Sequence, residues 1–363
     1  MSPVATVTGA APLRGVVVGA GKLGHHWARE LLEHPDTELA GWVDLDAGRV
    51  RAEADRLGLV GVPTGASLEA MLDAERPDFL VNATAPAGHH PVTIAALERG
   101  LAVLTEKPLA ATMPEALEMI AAADRAQRLL MVSQNRRYMP ELAAFRDTVA
   151  RLGPLSTVTC EFYVAHRERA AEFLFAFAQP LLLDMAIHLF DGARAITGAS
   201  PLSVYCDAYN PPWSWYAGPA AASAIFQMTG GIRFAFTGNW AADGFRTSWT
   251  GAWRVVGERG TATWDGEAAV QVEPREGERI VASVPIPVPL DEGRFLGLEG
   301  ALADFVTALR AGRVPAGECH DNIRSLAMCH AAVESAALGA TVPVAPFDAD
   351  EAGAAAAAIP PAA

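Results

Sequence analysis

Residues 14–24 limit the fold of this chain more than any other stretch. Three consecutive valines within it form a β-branched run, the composition of a buried strand. Three glycines follow at G-x-G-x-x-G spacing, namely Gly19, Gly21 and Gly24, and residues 25–33 then have the pattern of a helix. In such a unit the first glycine permits a tight turn, the second lets a phosphate approach the backbone, and the third packs helix against strand. The helix N-terminus also directs N–H groups at that phosphate.

An acidic residue follows where a dinucleotide-binding fold has one. The second predicted strand, residues 38–43, is followed directly by Asp44. In that fold the carboxylate accepts hydrogen bonds from a ribose diol. We therefore expect Asp44 to favour NAD over NADP, because a carboxylate repels a 2′-phosphate. A flavodoxin-like turn without a ligand, with Asp44 as a helix cap, is the alternative interpretation.

Strands and helices alternate at βαβ spacing over about 120 residues. A short strand is expected near residues 60–62, and a loop over residues 83–90 precedes the next helix. This alternation predicts a doubly wound parallel sheet in residues 14–134, with a ligand at the carboxyl ends of the strands.

Past Gln134 the pattern changes to strand-like runs, which continue to about residue 272. A helix over residues 180–196 interrupts them, and two more helices, over 298–310 and 321–338, follow. The pattern predicts an α+β domain with a mostly antiparallel sheet in residues 135–345. The ends, residues 1–13 and 348–363, are expected to be flexible.

Composition excludes several classes of protein. The net charge of −14 argues against nucleic acid or an anionic membrane as a partner. Four cysteines are scattered without a C-x-x-C motif, which is typical of a reduced, cytoplasmic protein. Neither a signal peptide nor a membrane-spanning run is expected. The Cys319-His320 and Cys329-His330 pairs do not share a helix face, so no metal site is predicted.

Six motifs occur in a fixed order along the chain. They are Gly19-x-Gly21-x-x-Gly24, Asp44, Thr84-Ala-Pro86 with His89, Glu106-Lys107-Pro108, Asn135-Arg-Arg-Tyr-Met-Pro140 and Asp184-x-x-x-His188-x-x-Asp191. Together they resemble the glucose–fructose oxidoreductase and inositol dehydrogenase family over about residues 14–345. The resemblance implies an N-terminal Rossmann domain that binds NAD. It also implies a substrate domain with a large open sheet, which makes a homodimer or homotetramer.

Two departures from the family pattern affect the expected pocket. Family members often carry glycine inside the second catalytic motif, in the style D-x-G-x-H, whereas residues 184–188 read Asp-Met-Ala-Ile-His. The common Thr-Pro pair is split here by Ala85. Both changes alter the local shape of the pocket and therefore bear on the choice of substrate.

Three residues are the candidate catalytic groups. Lys107 follows a predicted strand, and the chain contains one other lysine, Lys22. An ammonium group there can polarise a substrate oxygen. Asp184 and His188 are four residues apart on a predicted helix and share a face. Neutral His188 can accept a hydroxyl proton while Asp184 orients the ring or binds a neighbouring hydroxyl. The alternative interpretations are that Lys107 is an ordinary surface lysine, and that Asp184 and His188 are a buried pair that only packs. Asp191 is interpreted as a structural hydrogen bonder.

The resemblance also implies the residues that bind the two ligands. Those for the cofactor are Gly19, Gly21, Lys22, Leu23, Gly24, Asp44, Thr84, Pro86, His89, Glu106, Lys107 and Arg137. Those for the substrate are Asn135, Tyr163, His166, Asp184, His188 and Arg246. From their position alone, Asn135, Arg137 and Tyr138 either face the cofactor and the substrate or lock the two domains together. Several tryptophans in residues 213–253 are suited to pack on sugar C–H faces or to form the core.

The function these features favour is NAD-dependent hydride transfer to or from a hydroxyl of a sugar, inositol or related polyol. One alternative is an NAD-using enzyme that cleaves glycosidic bonds through transient oxidation of the sugar. The other is a non-catalytic dinucleotide sensor, which does not require Lys107, Asp184 and His188 together.

Overall fold

The computed structural model describes residues 5–167, 175–288, 297–345 and 347. The expected flexible tail over 348–363 lies outside these residues. The chain divides into two compact units. The first contains described residues 5–138 and 297–323, and the second contains 139–167, 175–288, 324–345 and 347.

The helices and strands have the following bounds. The helices are α1 (Lys22–Glu33), α2 (Ala47–Arg56), α3 (Leu68–Glu75), α4 (Pro86–Glu98), α5 (Met113–Ala126), α6 (Pro140–Val149), α7 (Ala186–Thr197), α8 (Leu298–Ala311) and α9 (Cys319–Leu338). The strands are β1 (Leu13–Val18), β2 (Thr37–Val43), β3 (Thr64–Gly65), β4 (Phe79–Asn82), β5 (Ala102–Glu106), β6 (Leu130–Ser133), β7 (Leu155–Tyr163), β8 (Pro201–Tyr209), β9 (Ala221–Met228), β10 (Arg233–Asn239), β11 (Ala252–Gly257), β12 (Gly260–Trp264), β13 (Val270–Glu276), β14 (Arg279–Ile280), β15 (Val284–Ile286) and β16 (Val342–Pro343).

A parallel sheet forms the centre of the first unit. Its strand order is β3-β2-β1-β4-β5-β6, and every neighbouring pair is parallel. This is the order of a doubly wound dinucleotide-binding fold, so the predicted fold class of the first unit is confirmed. The carboxyl ends of β1, β4 and β5 therefore lie side by side at one edge of the sheet.

Two local expectations in this unit differ from the structure. The strand expected near residues 60–62 lies instead at β3, where the backbone N–H of Trp42 donates to Pro63 O at 2.9 Å. Val60 is 97% exposed, so its β-branched side chain does not mark a buried strand. The loop expected over 83–90 is mostly helix, because α4 begins at Pro86. Proline is tolerated there, since the first helical N–H has no partner within the helix.

Helix α8 belongs to the core of the first unit. Leu302, Phe305 and Leu309 are buried in the same cluster as the β1 and β4 side chains, and the rings of Phe305 and Phe79 are 5.4 Å apart. The sequence had assigned this helix, and residues 135–138, to the second domain. Periodicity shows that a helix has an apolar face, but it does not show which sheet covers that face.

The first residues of the chain are attached to α8. The N–H of Val7 donates to Leu309 O at 2.9 Å, and the guanidinium of Arg310 donates to Gly9 O at 2.9 Å. Strand β1 then begins at Leu13. Residues 7–13 are therefore hydrogen-bonded, whereas the sequence led us to expect a flexible segment over 1–13; residues 1–4 lie outside the described part.

A larger sheet forms the second unit. Its order is β14-β13-β12-β11-β7-β10-β9-β8-β16, with β15 paired to β13. Strands β7 and β10 are parallel, and the other neighbouring pairs are antiparallel, which confirms the predicted α+β class. Helix α7 packs on one face of this sheet through Phe190, whose ring lies 4.9 Å from that of Phe226. On strands β8 and β9, Tyr205 and Ile225 are exposed.

The helix predicted over residues 180–196 has two parts. Residues Pro180–Met185 form a π-helical turn, and α7 continues from Ala186 to Thr197. Among the described residues, no helix is long and apolar enough to cross a membrane.

Candidate functional site

The glycine-rich turn follows β1 and enters α1. A Cβ atom at Gly19, whose φ is +103°, would lie 2.5 Å from the carbonyl oxygen of Ala83. A Cβ at Gly24 would lie 1.9 Å from the carbonyl oxygen of Gly19. These two glycines therefore permit the turn and the close packing of α1, as the spacing predicted.

Gly21 differs from the other two glycines. No heavy atom lies within 4 Å of the position its Cβ would take. Gly21 is the N-cap of α1, it makes no side-chain cap, and the first turn contains no acidic residue. The backbone N–H groups and the positive end of the helix dipole thus face open space, and they fit the pyrophosphate of a dinucleotide. Lys22 and Leu23 form the start of α1; Lys22 is exposed and Leu23 packs against the core.

Asp44 is fixed beside this turn. Its Oδ2 accepts the N–H of Ala20 at 2.7 Å, and its Oδ1 accepts the N–H of Asp46 at 2.9 Å. The carboxylate therefore lies at the end of β2 next to the glycine-rich turn, in the position that suits a ribose diol. The helix cap of α2 is supplied by Asp46, not by Asp44 as the alternative interpretation required.

His89 joins the two loops that follow β4 and β5. Its buried ring contacts Pro108 O through Nδ1 at 2.6 Å and Thr84 O through Nε2 at 3.1 Å. Burial lowers the pKa of His89, although both carbonyl contacts act to raise it. Pro86 lies between these residues at the first position of α4. Both ring nitrogens are thus engaged with backbone oxygens, so the ring positions the loops that the sequence had linked to cofactor binding.

Glu106 has a comparable supporting position. Its carboxylate accepts Trp27 Nε1–H at 2.8 Å and the backbone N–H of Lys107 at 3.2 Å. Burial raises the pKa of Glu106, while the hydrogen bond from Trp27 and the charge of Lys107 lower it. Lys107 itself is half-buried at the carboxyl end of β5, and its peptide bond to Pro108 is cis. The turn after β1, Thr84 after β4 and Lys107 after β5 share one edge of the sheet.

The 3₁₀ turn Asn135–Tyr138 is tied to the segment around α8. Arg137 donates to the carbonyl of Ala316 and to Asp321 Oδ2, the latter at 2.9 Å. Tyr138 OH donates to Asp304 Oδ2 at 2.6 Å. These contacts all lie within the first unit, so they do not distinguish a role at the ligands from a role in locking the domains together. Asn135 is half-buried.

In the second unit, Asp184 and His188 differ from their neighbours in exposure. Every residue of 186–194 is buried except His188, which is half-buried, and Asp184 in the preceding π turn is also half-buried. π-helical turns occur frequently at functional sites. Within residues 184–194, the pair is therefore the accessible part, and the other residues are buried.

Asp191 has a different environment from the other two polar residues of this motif. It is 2% exposed and accepts Ser325 Oγ–H at 2.7 Å, and Arg194 donates to the same Ser325 oxygen at 2.8 Å. The sequence interpretation of Asp191 as a structural hydrogen bonder agrees with these contacts.

An aromatic cluster, which consists of His166, Tyr216, Trp240 and Trp249, lies in the second unit. The His166 ring is 6.2 Å from that of Trp240 and 5.1 Å from that of Trp249, and the Tyr216 ring stacks on Trp240 at 5.5 Å. Burial raises the pKa of Tyr216 to about 12; the indole of Trp215 lowers it, and the negative charge of Asp184 raises it. Tyr216 is thus the member of the cluster whose pKa the Asp184 charge affects.

Tyr163 and the Arg246 loop are connected through Thr247. The backbone N–H of Tyr163 donates to Thr247 Oγ1 at 2.9 Å. Burial raises the pKa of Tyr163, and the neighbouring Glu161 and Tyr209 raise it further. Arg246 is exposed in the same loop.

Sequence reasoning missed two features of these units. It grouped the tryptophans of the second unit but did not predict that Tyr216 is affected by the charge of Asp184, because the two residues are distant in sequence. It also compared Cys319-His320 with Cys329-His330 and overlooked Glu318, which directly precedes the first pair. The three consecutive residues Glu318, Cys319 and His320 were the available signal.

Comparison with known proteins identifies the family. A model described as an oxidoreductase family with an NAD-binding Rossmann fold matches residues 13–134, and one described as a GFO/IDH/MocA C-terminal domain matches residues 146–263. The D-apiose dehydrogenase of Paraburkholderia graminis is 26% identical over 95% of this chain and 93% of its own length. The inositol 2-dehydrogenase of Rubrobacter xylanophilus is 27% identical over 89% of this chain and 91% of its own.

The fold is shared with solved structures. An oxidoreductase from Agrobacterium radiobacter, in complex with NAD+, L-tartaric acid and magnesium, has a TM-score of 0.82 at 20% identity, covering 92% of this chain and 99% of its own. The predicted family is confirmed by the two matching models, one for each unit, and the predicted cofactor, NAD, is confirmed by the first of them. The chain therefore belongs to the GFO/IDH/MocA family of NAD-binding oxidoreductases.

Proposed function

We propose that this oxidoreductase transfers a hydride between NAD and a secondary hydroxyl carbon of a sugar, inositol or related polyol. The observation that carries the proposal is the pair Asp184 and His188, which are the half-buried polar groups of residues 184–194, a segment whose other residues are buried. When bound, NAD supplies the hydride acceptor, and the remaining chemistry is proton transfer by the chain.

The three catalytic candidates have separate roles in this proposal. His188 accepts the proton of the substrate hydroxyl as oxidation proceeds and returns it in the reverse direction. Lys107 polarises the same oxygen and stabilises its negative charge. Asp184 orients His188 or holds a neighbouring hydroxyl, which fixes the carbon that reacts.

A carbohydrate substrate is supported by the aromatic cluster near Asp184. Aromatic faces pack against apolar C–H surfaces, while the indole N–H and phenol O–H offer hydrogen bonds to hydroxyls. Tyr163, Arg246 and Asn135 are the further residues that we propose contact the substrate. Relatives with similar sequence include enzymes named for a sugar and for an inositol, which supports the same class.

The transient-oxidation glycosidase and the non-catalytic sensor remain alternatives. A glycosidase of that kind regenerates NAD in each turnover, so it accumulates no reduced cofactor. A sensor has no need for Lys107, Asp184 and His188 together, and this chain has all three.

Steady-state kinetics of point variants test the catalytic roles. His188→Ala should lower kcat by about 10²–10⁴-fold and leave the Kd for NAD nearly unchanged, because the imidazole acts on the substrate. Lys107→Ala should also impair turnover, and Lys107→Arg should restore it incompletely, because guanidinium differs in size and geometry. His330→Gln, a change on another helix of the second unit, is the control and should keep wild-type turnover.

The result that contradicts the assignment is a His188→Ala enzyme within about threefold of wild type when chemistry limits the rate. The proton acceptor would then be sought at Tyr163 or His166.

We further propose a homodimer or homotetramer formed through the exposed face of the large sheet, where Tyr205 and Ile225 lie opposite each other on β8 and β9. Exposed apolar side chains of a sheet favour burial against another surface. Light scattering at micromolar concentration should give a multiple of 38.2 kDa, and a monomer mass would contradict the oligomer.

We also propose a cytoplasmic location, which the four buried free cysteines support.

A further inference from the structure

The residues Glu318, Cys319 and His320 bring three different ligand types together at the start of α9. Cys319 Sγ lies 3.0 Å from Glu318 Oε1 and 3.6 Å from His320 Nδ1, and His320 Nδ1 lies 2.7 Å from Glu318 Oε1. Within the described part of the chain, this is the one group of three such side chains whose ligand atoms converge. Glu318 and Cys319 are more than nine-tenths buried.

We propose that this cluster, the Glu318 cluster, binds one divalent transition-metal ion of the zinc type. Thiolate, imidazole and carboxylate are the ligands that such an ion takes in proteins, whereas magnesium and calcium prefer oxygen alone. The site is additional to the proposed oxidoreductase function and does not depend on it.

The distances support a tetrahedral arrangement. Zinc bonds of about 2.0–2.3 Å imply ligand-to-ligand edges of about 3.4–3.6 Å in a tetrahedron. The sulfur-to-nitrogen distance already matches, at 3.6 Å. The two edges to the carboxylate are shorter, at 3.0 and 2.7 Å, because each is closed by a hydrogen bond whose proton leaves when the ion binds.

A carboxylate on α5 supports the histidine from its other side. Asp124 Oδ2 lies 3.3 Å from His320 Nε2. Metal-binding histidines typically donate their second ring N–H to a carboxylate, which fixes the ring and raises its basicity. The side chain of His320 is 37% exposed, so a fourth position is open to water.

Ion binding requires the loss of two protons. One leaves Cys319 Sγ. The other leaves Nδ1 of a His320 imidazolium, the form in which both ring nitrogens donate, to Glu318 and to Asp124, and the Nε2–H then stays directed at Asp124. Cys319 is 1% exposed, so a thiolate at this buried position needs a cation beside it.

The Glu318 cluster lies away from the residues assigned to the cofactor. Glu318 makes an isolated bridge to Met131 of β6, and Asp124 is near the end of α5, which precedes that strand. The cluster is thus toward the amino end of β6, whereas the glycine-rich turn and Lys107 follow the carboxyl ends of their strands. A metal here would hold the start of α9 against β6 and α5.

The same helix supplies a matched control. Cys329 and His330 repeat the cysteine–histidine pair, but Met328 precedes them in place of a glutamate. Cys329→Ser and His330→Gln therefore change the same residue types outside the Glu318 cluster.

The experiment is equilibrium dialysis of the full chain against Zn²⁺ in the presence of a competing chelator, with metal measured by mass spectrometry. The wild type should retain one Zn²⁺ per chain. Glu318→Gln, Cys319→Ser and His320→Gln should abolish retention, and Asp124→Asn should weaken the affinity about 10–100-fold. Both control variants should retain zinc as the wild type does. With Co²⁺ in place of zinc, the thiolate-to-metal absorption band should be present in the wild type and absent in Cys319→Ser.

Melting curves without metal show whether each variant is folded. If Cys319→Ser does not fold, the test rests on Glu318→Gln and His320→Gln, in which each side chain is replaced by one of similar size. The proposal is overturned if the wild type retains no zinc. It is also overturned if folded Glu318→Gln and His320→Gln retain zinc as tightly as the wild type.

Discussion

At the glycine-rich turn, identical residues have different physical roles. Gly24 has no room for a methyl group because the carbonyl oxygen of Gly19 would lie 1.9 Å away. No heavy atom lies within 4 Å of a Cβ placed at Gly21, so packing does not require a glycine there. The motif therefore combines positions at which the fold requires glycine with one at which we propose that the ligand requires it.

This difference predicts opposite outcomes for two alanine variants. Gly24→Ala forces backbone atoms apart and should destabilise the protein by about 1–3 kcal/mol, visible as a lower melting temperature. Gly21→Ala should melt like the wild type but bind NAD more weakly, because its methyl group occupies the path of the pyrophosphate. Thermal melting and calorimetric titration with NAD measure the two effects. Equal melting temperatures for Gly24→Ala and wild type would be incompatible with the packing described.

The role of a residue could be predicted from the sequence where that role depends only on residues close to it along the chain. The glycine spacing and the position of Asp44 after β2 follow from the strand–turn–helix pattern alone. His89 and Glu106 were assigned to the cofactor, yet their polar atoms bond Pro108, Thr84, Trp27 and Lys107. Lys107 directly follows Glu106, but the other three partners are 5 to 79 residues away along the chain, so their approach depends on the assembled sheet.

At the scale of elements, the helix after residue 179 shows how local and long-range information differ. The sequence predicted a helix over residues 180–196, and the observed bounds agree to within a few residues. The π turn at Pro180–Met185 was not predicted, because it depends on how this segment packs in the unit. Helix α8 was likewise predicted as a helix but assigned to the wrong side of the domain boundary, since its covering strands come from the start of the chain.

The two acidic residues of this helix should differ in their effect on stability. Asp191 and Arg194 are almost fully buried, 3.8 Å apart, and both contact Ser325. Asp191→Ala removes the carboxylate from this buried network and should lower the free energy of unfolding by about 3–5 kcal/mol. Asp184→Ala, at a half-buried position, should cost much less stability and instead reduce turnover. Chemical denaturation of both variants gives the comparison, and an equal loss of stability would show that Asp184 is also structural.

At the scale of the whole molecule, each of the two sheets is suited to a different ligand. The parallel sheet brings loops after several strands to one edge, which suits a dinucleotide. The ten-stranded sheet supports α7 and the aromatic cluster, which suit a substrate with both hydroxyl and C–H surfaces. The order of the two units was predictable from the change in pattern near residue 134, whereas the identity of the substrate depends on a pocket shape that composition does not encode.

The most direct test of the proposed reaction is a panel of sugars, inositols, other polyols and glycosides incubated with NAD and the full chain, read as absorbance of the reduced cofactor and as release of free sugar from the glycosides. We predict that at least one polyol gives continuous, stoichiometric formation of NADH, and that His188→Ala loses this signal while it still binds NAD. Glycoside cleavage without net formation of NADH would contradict the account in favour of transient oxidation. Absence of turnover across the panel, with NAD bound, would contradict it in favour of a sensor.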